Sequence, residues 1–508
     1  MEIFGATIIL LISTVFFLFG SLRKPKKQLT GLVVPGPKNL PIIGNIHHLL
    51  GRRLPHHSLR DLSAVYGPIM RLKLGEINTI IISSAEAAKE ILQTHDIIFA
   101  SRPITPTVDA LFYGGKGVVF SSYSEYWRQM RRLCVMELLN SKRIRSFQAV
   151  REQEVSQLIR SITATPTGSV INLSRELANL GTNIMVMSVI GGRCEDQKVF
   201  LSALGELVEL NTGFSIVDLF PSIPFFISRI AGIRAKLDRC RLKLDQILEK
   251  IVQEHIEKRA KNSIKEEDLT DTLLRIQKDC CLQFPLSNDD IKAIINDILV
   301  AGSETTWTTL EWSISELICN PIIMNKVQRE VRETFGSGMT KIIGDEELLS
   351  GKLSYMQLVI KETLRLHTPL PLLLPRVNQE SCEVMGYDIP ARTTLMVNAW
   401  AIGRDPKYWD DPEVFRPERF EENHVDMRGA NFEMLPFGAG RRVCPGIQFG
   451  MATIEMVLAH LLYYFDWEYP AENGEEFDMS EALGVSTRRK SPLCLLATPC
   501  VPILDANA

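Results

Sequence analysis

One short loop near the C-terminus limits the fold of this chain more than any other segment does. The loop, Pro436–Gly446 (PFGAGRRVCPG), contains three glycines and places one cysteine, Cys444, after two adjacent arginines. From Ile447 to Phe465, apolar residues recur every three or four positions, which predicts an amphipathic helix with Pro445 as its first residue. The sequence therefore places Cys444 at a helix N-terminus, where the helix dipole, the free N–H groups and the arginines favour a thiolate.

A thiolate in this position has three possible uses: nucleophile, redox sensor or metal ligand. The chain has nine histidines, but none lies in a motif that would supply the base for a nucleophilic cysteine. A lone thiolate suits a heme iron, because the porphyrin supplies the four in-plane ligands. Heme also needs cations and hydrogen-bond donors for its two propionates. The candidates are the neutral donor Trp127 and the cations Arg128, Arg131, Arg132, Arg376 and Arg442.

The composition is that of an ordinary globular protein. Of the 508 residues, 45% are hydrophobic and 23% are charged, and the net charge is −3, so nothing drives the whole chain toward nucleic acid. The ten cysteines form no C-x-x-C pair and no zinc spacing with histidine. We expect the main body to lie in a reducing compartment.

The N-terminus predicts a membrane anchor. Ile3–Gly20 is an uncharged, mostly apolar run of 18 residues, and four basic residues follow within Arg23–Lys27. A cleaved signal peptide is the alternative, but the apolar run is long and the basic cluster lies on its C-terminal side. We therefore expect a transmembrane anchor over residues 1–22, a basic and proline-rich hinge over 23–45, and a cytosolic body.

The remainder, residues 46–508, reads as one large, mainly α domain with a small β part. Ile69–Ser83 predicts a β-hairpin, helical periodicity dominates from Glu125 to Cys319, and a strand-rich part follows near residues 382–402. The segment Asp218–Phe226 breaks the helical pattern with two prolines. It is either a buried loop or a surface that dips into lipid.

A long helix is predicted around the segment AGSETT, residues 301–306. Ser287 followed by two aspartates gives its N-terminal capping signal. Glycine and threonine weaken the helix in its middle, and Thr305 can bond back to a carbonyl. Two interpretations are equally open: close helix packing at Ala301 and Gly302, or a groove for a ligand with Glu304 and Thr305 relaying protons.

Glu362 and Arg365 lie three residues apart on another predicted helix, with apolar neighbours that indicate burial. A buried pair needs a further partner, and FRPERF offers Arg419. Three prolines then predict an extended apolar segment, Leu370–Leu374, that either lines a pocket or crosses the core.

Together these motifs resemble the cytochrome P-450 monooxygenases. FGAGRRVCPG matches the family's F-x-x-G-x-R-x-C-x-G loop at every defined position, and AGSETT resembles its oxygen-activating helix motif. Glu362, Arg365 and Arg419 match its E-x-x-R and P-E-R-F triad, and Trp127 with Arg131 match W-R-x-x-R. Segments such as NAWAIGRDPKYWDDPEVFRPERF resemble the plant microsomal group that hydroxylates terpenoids and other specialised metabolites.

The resemblance implies the cytochrome P-450 fold and a heme-thiolate catalytic domain with heme b as cofactor and NADPH as the electron source. Cys444 is then the iron ligand, and Thr305 with Glu304 delivers protons. The implied cofactor-binding residues are Trp127, Arg131, Arg376, Phe437, Arg442 and Gly446. The implied partners are membrane lipid, an apolar small molecule and a membrane-bound NADPH-dependent reductase. The reductase would dock near Arg128 and Arg132. The implied location is the endoplasmic reticulum membrane.

The substrate is expected to be a sesqui- or diterpenoid, because the family's pocket segments are largely aliphatic here. The pocket candidates are Phe120, Phe214, Val300, Ala301, Leu372 and Val485. Two positions depart from the plant group's pattern: Val34 replaces the first proline of its hinge motif, and Thr368 replaces a proline beside Pro369. The second departure borders the pocket and is expected to bear on substrate shape.

Other functions compete with this one. A monooxygenase acting on an alkaloid or flavonoid is the first alternative. The second alternative is a heme enzyme that rearranges hydroperoxides without a reductase. Such enzymes often lack the acid–threonine pair, which is present in this chain as Glu304 and Thr305 and therefore argues against this alternative. A membrane-anchored heme or lipid binder without catalysis would not need that pair.

Overall fold

The structure is a computed structural model that describes residues 32–51, 53–166, 168–192, 197–210, 214–222, 232–261, 267–279, 282–336, 344–348, 351–423, 425–470 and 476–501. The predicted anchor, residues 1–22, and the basic start of the hinge lie outside these residues. Within them, no helix combines the length and apolar character needed to cross a membrane.

Helices dominate the described residues. In chain order they are α1 Pro55–Tyr66, α2 Ala85–Lys89, α3 Pro106–Leu111, α4 Glu125–Leu133, α5 Ser141–Ser146, α6 Gln148–Thr163, α7 Leu173–Ile190, α8 Gln197–Leu210, α9 Ile216–Leu219, α10 Ile233–Ala260, α11 Leu269–Asp279, α12 Asn288–Cys319, α13 Pro321–Phe335, α14 Asp345–Leu348, α15 Ser354–Leu366, α16 Ala399–Ile402, α17 Arg419–Glu422 and α18 Ile447–Tyr464. The strands are β1 Leu32–Val33, β2 Ile69–Leu74, β3 Ile77–Ile82, β4 Ile171–Asn172, β5 Arg376–Val377, β6 Cys382–Val384, β7 Tyr387–Ile389, β8 Thr394–Val397, β9 Phe465–Glu468 and β10 Cys494–Pro499.

The strands form three small sheets with the orders β2-β3-β8-β5, β1-β7-β6 and β4-β10-β9. In the largest, β2 and β3 form the predicted hairpin, with Ile69 opposite Ile82. Strand β8 then pairs parallel to β3, with Thr79 opposite Thr394. This pairing joins the strand-rich part of the chain to the N-terminal hairpin in one sheet.

Helix α12 begins as its sequence predicts. Ser287 and Asp290 form a reciprocal capping box, in which each side chain accepts from the other residue's backbone N–H. Nearly every turn of the helix is buried, and α7 packs along it, so α12 runs through the main hydrophobic core. Such burial on all sides explains how a helix with a glycine and several threonines near its middle remains intact.

Helix α18 starts later than predicted. Its first helical bond runs from the Gly450 N–H to the Gly446 carbonyl at 2.9 Å, so Gly446 is the N-cap and Pro445 stays outside the helix. Phe465 at the other end already has extended backbone and begins β9. Cys444 therefore lies two residues before the N-cap rather than beside the first helical turn.

The predicted extended segment Leu370–Leu374 is instead turned. The Leu373 N–H donates to the Leu370 carbonyl at 3.1 Å, and Leu373 has a φ of +48°. The prediction was wrong because prolines restrict their own φ and that of the preceding residue, but leave Leu373 free to reverse the chain. The turn gathers several leucines at one place, which matters for the cavities described below.

Candidate active site

The loop before α18 places Cys444 at the wall of an internal cavity. The Cys444 N–H donates to the Phe437 carbonyl at 3.0 Å, which closes the loop. Gly438 and Gly440 have φ angles of +67° and +68°, where a side chain is strained. At Gly440 a Cβ would also lie 2.2 Å from the Leu92 carbonyl oxygen. The glycines are therefore required for the loop to turn and to approach its neighbours.

The ionisation of Cys444 differs from the prediction. Burial is the largest influence and raises the pKa of its thiol, whereas the Gly446 N–H and Arg131 lower that pKa by less. Arg441 is exposed, and its Nε lies 3.7 Å from an Asp96 oxygen. The expectation that the loop alone favours a thiolate was wrong. A thiolate here needs a cation in direct contact, which a coordinated metal supplies.

The cavity has a volume of about 240 Å³. Its walls include Cys444 and Phe437 from the cysteine loop, and Ala301, Thr305 and Thr309 from α12. Ala301 is exposed although it lies in the middle of a mostly buried helix, so the surface it exposes faces the cavity. The structure thus brings the cysteine loop and the AGSETT segment to one space, as a ligand between them requires.

The two interpretations of AGSETT are realised on neighbouring residues. A Cβ on Gly302 would lie 2.6 Å from Cε of Met185 on α7, so this glycine permits close helix packing. Ala301 and Thr305 line the cavity, and so does part of Gly302. Successive helix residues point about 100° apart, so one segment serves both the packing of α7 and a ligand groove.

Four arginines also line the cavity: Arg102, Arg131, Arg376 and Arg442. Arg376 donates to Asp96 at 3.0 Å. Arg102 and Arg442 donate to backbone carbonyls, including those of Pro375 at 2.8 Å and Ala100 at 2.6 Å. The Arg131 guanidinium makes no hydrogen bond or ion pair with any described residue. Of these four cations, only Arg376 is paired with a carboxylate of a described residue, which leaves an excess of positive charge at the cavity.

This charge excess tests whether the predicted cofactor fits. Burial and, to a smaller extent, the nearby charges of Arg376 and Arg131 lower the pKa of Arg442 to about 9. A buried cluster of like charges is costly unless anions join it. The two propionates of heme b would provide these anions, and the Cys444 sulfur would provide a ligand for the iron. The charges and the donor atom therefore fit heme.

Two predicted propionate ligands already have other partners. The Trp127 indole N–H donates to the Val118 carbonyl at 3.0 Å, and its ring lies 4.2 Å from Cζ of Arg442. Arg376 is paired with Asp96. Their direct role toward heme stays a prediction, as does that of Phe437 and Gly446, which line the cavity. Arg102 also lines the cavity, and no motif in the sequence indicated it.

Thr305 and Glu304 are neighbours in the chain but face different surroundings. Thr305 lines the cavity, and its hydroxyl donates to the Ala301 carbonyl at 2.8 Å, the back-bond that the sequence predicts. Glu304 does not line this cavity. Its carboxylate accepts from the Ser486 hydroxyl, and Arg488 Nε lies 3.3 Å from it. Burial raises the pKa of Glu304, opposed by these two groups.

The paired-charge helix forms the predicted triad. Arg365 makes two hydrogen bonds of 2.8 Å to Glu362, and Arg419 Nε donates to the same carboxylate at 2.9 Å. Arg365 also reaches the Gly403 and Pro412 carbonyls at 2.7 Å. Neither Glu362 nor Arg365 has exposed side-chain surface. The network ties α15 to the segment before α17.

A second, outer cavity of about 90 Å³ adjoins the first, because Leu373 and Leu374 line both. Four of the predicted substrate residues line it, namely Phe120, Phe214, Leu372 and Val485. Ala301 lines the inner cavity. Val300 lines neither; it packs against the main core, because it points away from the face that carries Ala301. Polar groups are few in the outer cavity and include His56, Thr105 and Asp218.

Thr368 does not reach either cavity. Its side chain is buried, and its hydroxyl donates to the Leu364 carbonyl at 2.9 Å. The next residues, Pro369 and Leu370, line the inner cavity. Thr368 therefore acts on the pocket only through the backbone that follows it.

Asp297 is a cavity residue that the sequence did not single out. It lies on α12 two turns before Thr305 and is buried. One carboxyl oxygen accepts from the backbone N–H groups of Val118 and Val119 at 2.8 and 3.0 Å. Burial raises its pKa to about 7. A single aspartate in a predicted helix gives no sign of such a distant partner, which explains why it was missed.

Comparisons with known proteins agree with this geometry. A family model described as Cytochrome P450 matches residues 34–495. Desmethyl-deoxy-podophyllotoxin synthase of Sinopodophyllum hexandrum is 48% identical over 95% of both chains. The 5-epiaristolochene 1,3-dihydroxylase of Nicotiana tabacum is 44% identical and premnaspirodiene oxygenase of Hyoscyamus muticus 43%, each over 99% of both chains. A zebra fish cytochrome P450 structure with progesterone superimposes with a TM-score of 0.75 at 27% identity, covering 88% of this chain and all of that one.

Proposed function

The chain belongs to the cytochrome P450 family of heme monooxygenases, and we propose that it hydroxylates an apolar sesqui- or diterpenoid of plant specialised metabolism. The observation that carries this proposal is the outer cavity, whose lining is largely aliphatic and aromatic and which shares two leucines with the cavity at Cys444. Two relatives over 40% identical are named for sesquiterpene oxidation.

The reaction consumes the substrate, dioxygen, NADPH and one proton, and gives the alcohol, water and NADP⁺. One oxygen atom enters a C–H bond of the substrate, and the other leaves as water with two protons. When bound, the heme supplies iron, which the Cys444 thiolate ligates, and the site where dioxygen is reduced. The chain must bind the substrate, exclude bulk water and deliver the protons.

Binding and orientation fall to the two cavities. Leu372 and Val485 hold an apolar ligand in the outer cavity, and Leu373 and Leu374 form the passage to the inner one. Burial of the ligand's apolar surface supplies the binding free energy, about 25 cal/mol per Å². The small side chain of Ala301 leaves space beside α12 for the ligand to approach the reacting centre.

Proton delivery falls to Thr305 and Glu304. The Thr305 hydroxyl faces the cavity and holds a proton in its bond to the Ala301 carbonyl. Burial keeps the pKa of Glu304 above its ordinary value, so this carboxyl exchanges protons more readily near neutral pH than an exposed glutamate does. Positioned acids of this kind typically contribute about 10²–10⁴-fold to a rate.

Electrons come from NADPH through a reductase that docks on the face nearest Cys444. Arg128, Arg132 and Arg441 present exposed guanidinium groups there, although Arg128 is paired with Glu125. An acidic partner would be attracted to this surface, and salt would weaken the attraction over distances beyond about 10 Å at 0.1 M.

The body attaches to the endoplasmic reticulum membrane through residues 1–22. The described end of the hinge supports this location, because Leu32, Val33, Leu40 and Ile42 all expose apolar side chains. Such a group of exposed apolar residues is costly in water and fits a lipid surface. The catalytic domain then lies on the cytosolic side.

The test is oxidation of a terpenoid panel by microsomes that contain this protein and a plant reductase. We expect NADPH-dependent incorporation of one atom of ¹⁸O from ¹⁸O₂ into a sesqui- or diterpenoid. The assay also includes alkaloids, flavonoids and deoxypodophyllotoxin-type lignans as comparison substrates. The lignans are included because one relative is named for a podophyllotoxin. Oxidation of these comparison substrates alone would reject the terpenoid assignment, and product formation from a hydroperoxide without NADPH would reject the monooxygenase reaction.

A further inference from the structure

The acid of the proton pair is held from outside the cavity by a C-terminal loop. Ser486 donates its hydroxyl to Glu304, and Arg488 Nε lies 3.3 Å from the same carboxylate oxygen. The Glu304 side chain is 15% exposed and that of Arg488 is 30% exposed. Glu304 therefore rests between the buried helix and solvent, while the neighbouring Thr305 faces the cavity.

The same loop also lines the substrate cavity. Gly484 and Val485 form part of the outer wall, directly before Ser486. Gly484 packs close to the residues that hold the acid: a Cβ built on it would lie 3.4 Å from the Ser486 carbonyl oxygen and 3.8 Å from Arg488 Nη2. A ligand in the outer cavity would thus touch the segment whose next residues hold Glu304.

The base of the loop is fixed, so only its tip has freedom to move. The Ala482 N–H donates to the Arg488 carbonyl at 2.7 Å. Thr487 donates its N–H to the Pro369 carbonyl at 3.1 Å and its hydroxyl to the Thr368 carbonyl at 3.0 Å. If Val485 is displaced, the backbone of the tip and the side chains of Ser486 and Arg488 must therefore move with it.

The charges around Glu304 make its protonation differ between two side-chain positions: bound to Ser486 and Arg488, or released from them. Burial raises the pKa of Glu304, and the Ser486 hydroxyl and the Arg488 charge lower it. Held by both groups, the carboxylate is stabilised as an anion. Released from them into the apolar interior, it favours the protonated form, which is the form that can donate.

We propose that residues Gly484–Arg488 form a latch that senses a ligand in the outer cavity and controls Glu304. Ser486 and Arg488 are positioning residues: they hold Glu304 toward solvent until a ligand displaces Val485, and the freed side chain then turns toward Thr305. Each proton that Glu304 passes to the Thr305 hydroxyl is replaced by one from water on the Arg488 side. This inference rests on the proposed monooxygenase function.

The first test measures hydrogen–deuterium exchange of the purified holoenzyme with and without clotrimazole, a bulky imidazole that binds heme iron and requires no turnover. In the wild type we expect amides of residues 484–486 to exchange about threefold faster or more when the azole is bound. Ser486→Ala should exchange at the faster rate without ligand, and Ser486→Thr, which keeps the hydroxyl, should behave as wild type. Unchanged or slower exchange in the wild type on azole binding overturns the latch.

The second test measures the pH dependence of kcat/KM with the terpenoid that the panel identifies, because kcat/KM reports the acid of the free enzyme, in which the latch still holds Glu304. Ser486→Ala and Arg488→Gln each remove a group that lowers the pKa of Glu304, so the decline of kcat/KM at high pH should move to higher pH. Lys490→Gln, a neutralised exposed cation in the same loop, should leave the profile in place. Identical profiles for Arg488→Gln and Lys490→Gln overturn the positioning role. Because the exchange test needs no substrate, failure of the panel does not affect it.

Discussion

Glu362 and Arg365 face each other across two hydrogen bonds of 2.8 Å in a part of the interior where neither side chain has any exposed surface. A third charged group, Arg419, shares the carboxylate. The pair is thus fully desolvated, and its arginine fork is completed by backbone carbonyls of the segment before α17.

Replacing Glu362 by glutamine should strongly destabilise the fold. Both arginines would lose the one carboxylate that pairs with them among the described residues, while remaining buried. Breaking a buried ion pair in this way typically costs about 3–5 kcal/mol. The measurement is the urea midpoint of the holoenzyme, followed by heme absorbance. Glu422→Gln, which neutralises an exposed carboxylate nearby, should leave the midpoint unchanged; equal effects of the two variants would contradict the importance of the triad.

Two cysteines line the inner cavity, and only one is expected to bind iron. Cys444→Ser should remove the absorption band of the reduced, CO-bound heme-thiolate protein. Cys134→Ser should keep the band, because burial raises the pKa of Cys134 to about 12 and its sulfur lies on a different element. Retention of the band in Cys444→Ser would reject the assignment of the metal ligand.

Arg131 is expected to retain heme. Its guanidinium has no described partner and lines the cavity, so a propionate would be its anion. Loss of one charged hydrogen bond costs about 1.5–3 kcal/mol, and heme transfer to apomyoglobin should accelerate about 10- to 100-fold in Arg131→Gln. The exposed neighbour Arg132 is the control: Arg132→Gln should retain heme normally and instead lose reductase affinity at low salt.

Thr305→Val should separate NADPH consumption from product formation. Valine keeps the shape but removes the hydroxyl that faces the cavity, so product per NADPH should fall by about tenfold or more while hydrogen peroxide rises. Thr309→Val is the matched control, because Thr309 also lines the cavity and bonds back to a carbonyl at 2.9 Å. A comparable loss in both variants would show that the helix, not the Thr305 hydroxyl, is responsible.

Asp297 should make stability depend on pH in an unusual direction. Its pKa is raised from 3.8 to about 7 in the folded state, so between these values the folded protein holds a proton that the unfolded chain releases. The contribution to stability is therefore full at the acidic end and falls as pH rises toward 7, by at most about 1.4 kcal/mol per pH unit. In Asp297→Asn the free energy of unfolding should fall less steeply with pH by this contribution, while Glu455, whose pKa burial also raises to about 7, continues to contribute. An unchanged slope would assign the effect to groups other than Asp297.

Local sequence patterns predicted the elements whose causes are local. The capping box of α12, the β2–β3 hairpin and the Thr305 back-bond each depend on residues close together in the chain. The E-x-x-R and P-E-R-F motifs also gave the distant contact of Arg419 with Glu362, because a family pattern carries tertiary information that periodicity lacks.

Features that depend on burial or on distant partners could not be predicted in the same way. The thiol of Cys444 has a raised pKa because burial outweighs the glycines and arginines that the sequence displays. Glu304 turns toward Ser486 and Arg488, and Asp297 bonds Val118 and Val119. Side-chain direction on a helix is not enough to identify such partners, since the facing segment must also be known.

The parallel pairing of β3 with β8 has a consequence for how the protein is made. Strand β3 is synthesised early, but its partner Thr394–Val397 leaves the ribosome only after most of the chain, and the Cys444 loop follows later still. The hairpin must therefore wait with one edge unpaired, and such edges invite aggregation. The Cys444 loop, which completes the wall of the inner cavity, is therefore available only near the end of synthesis.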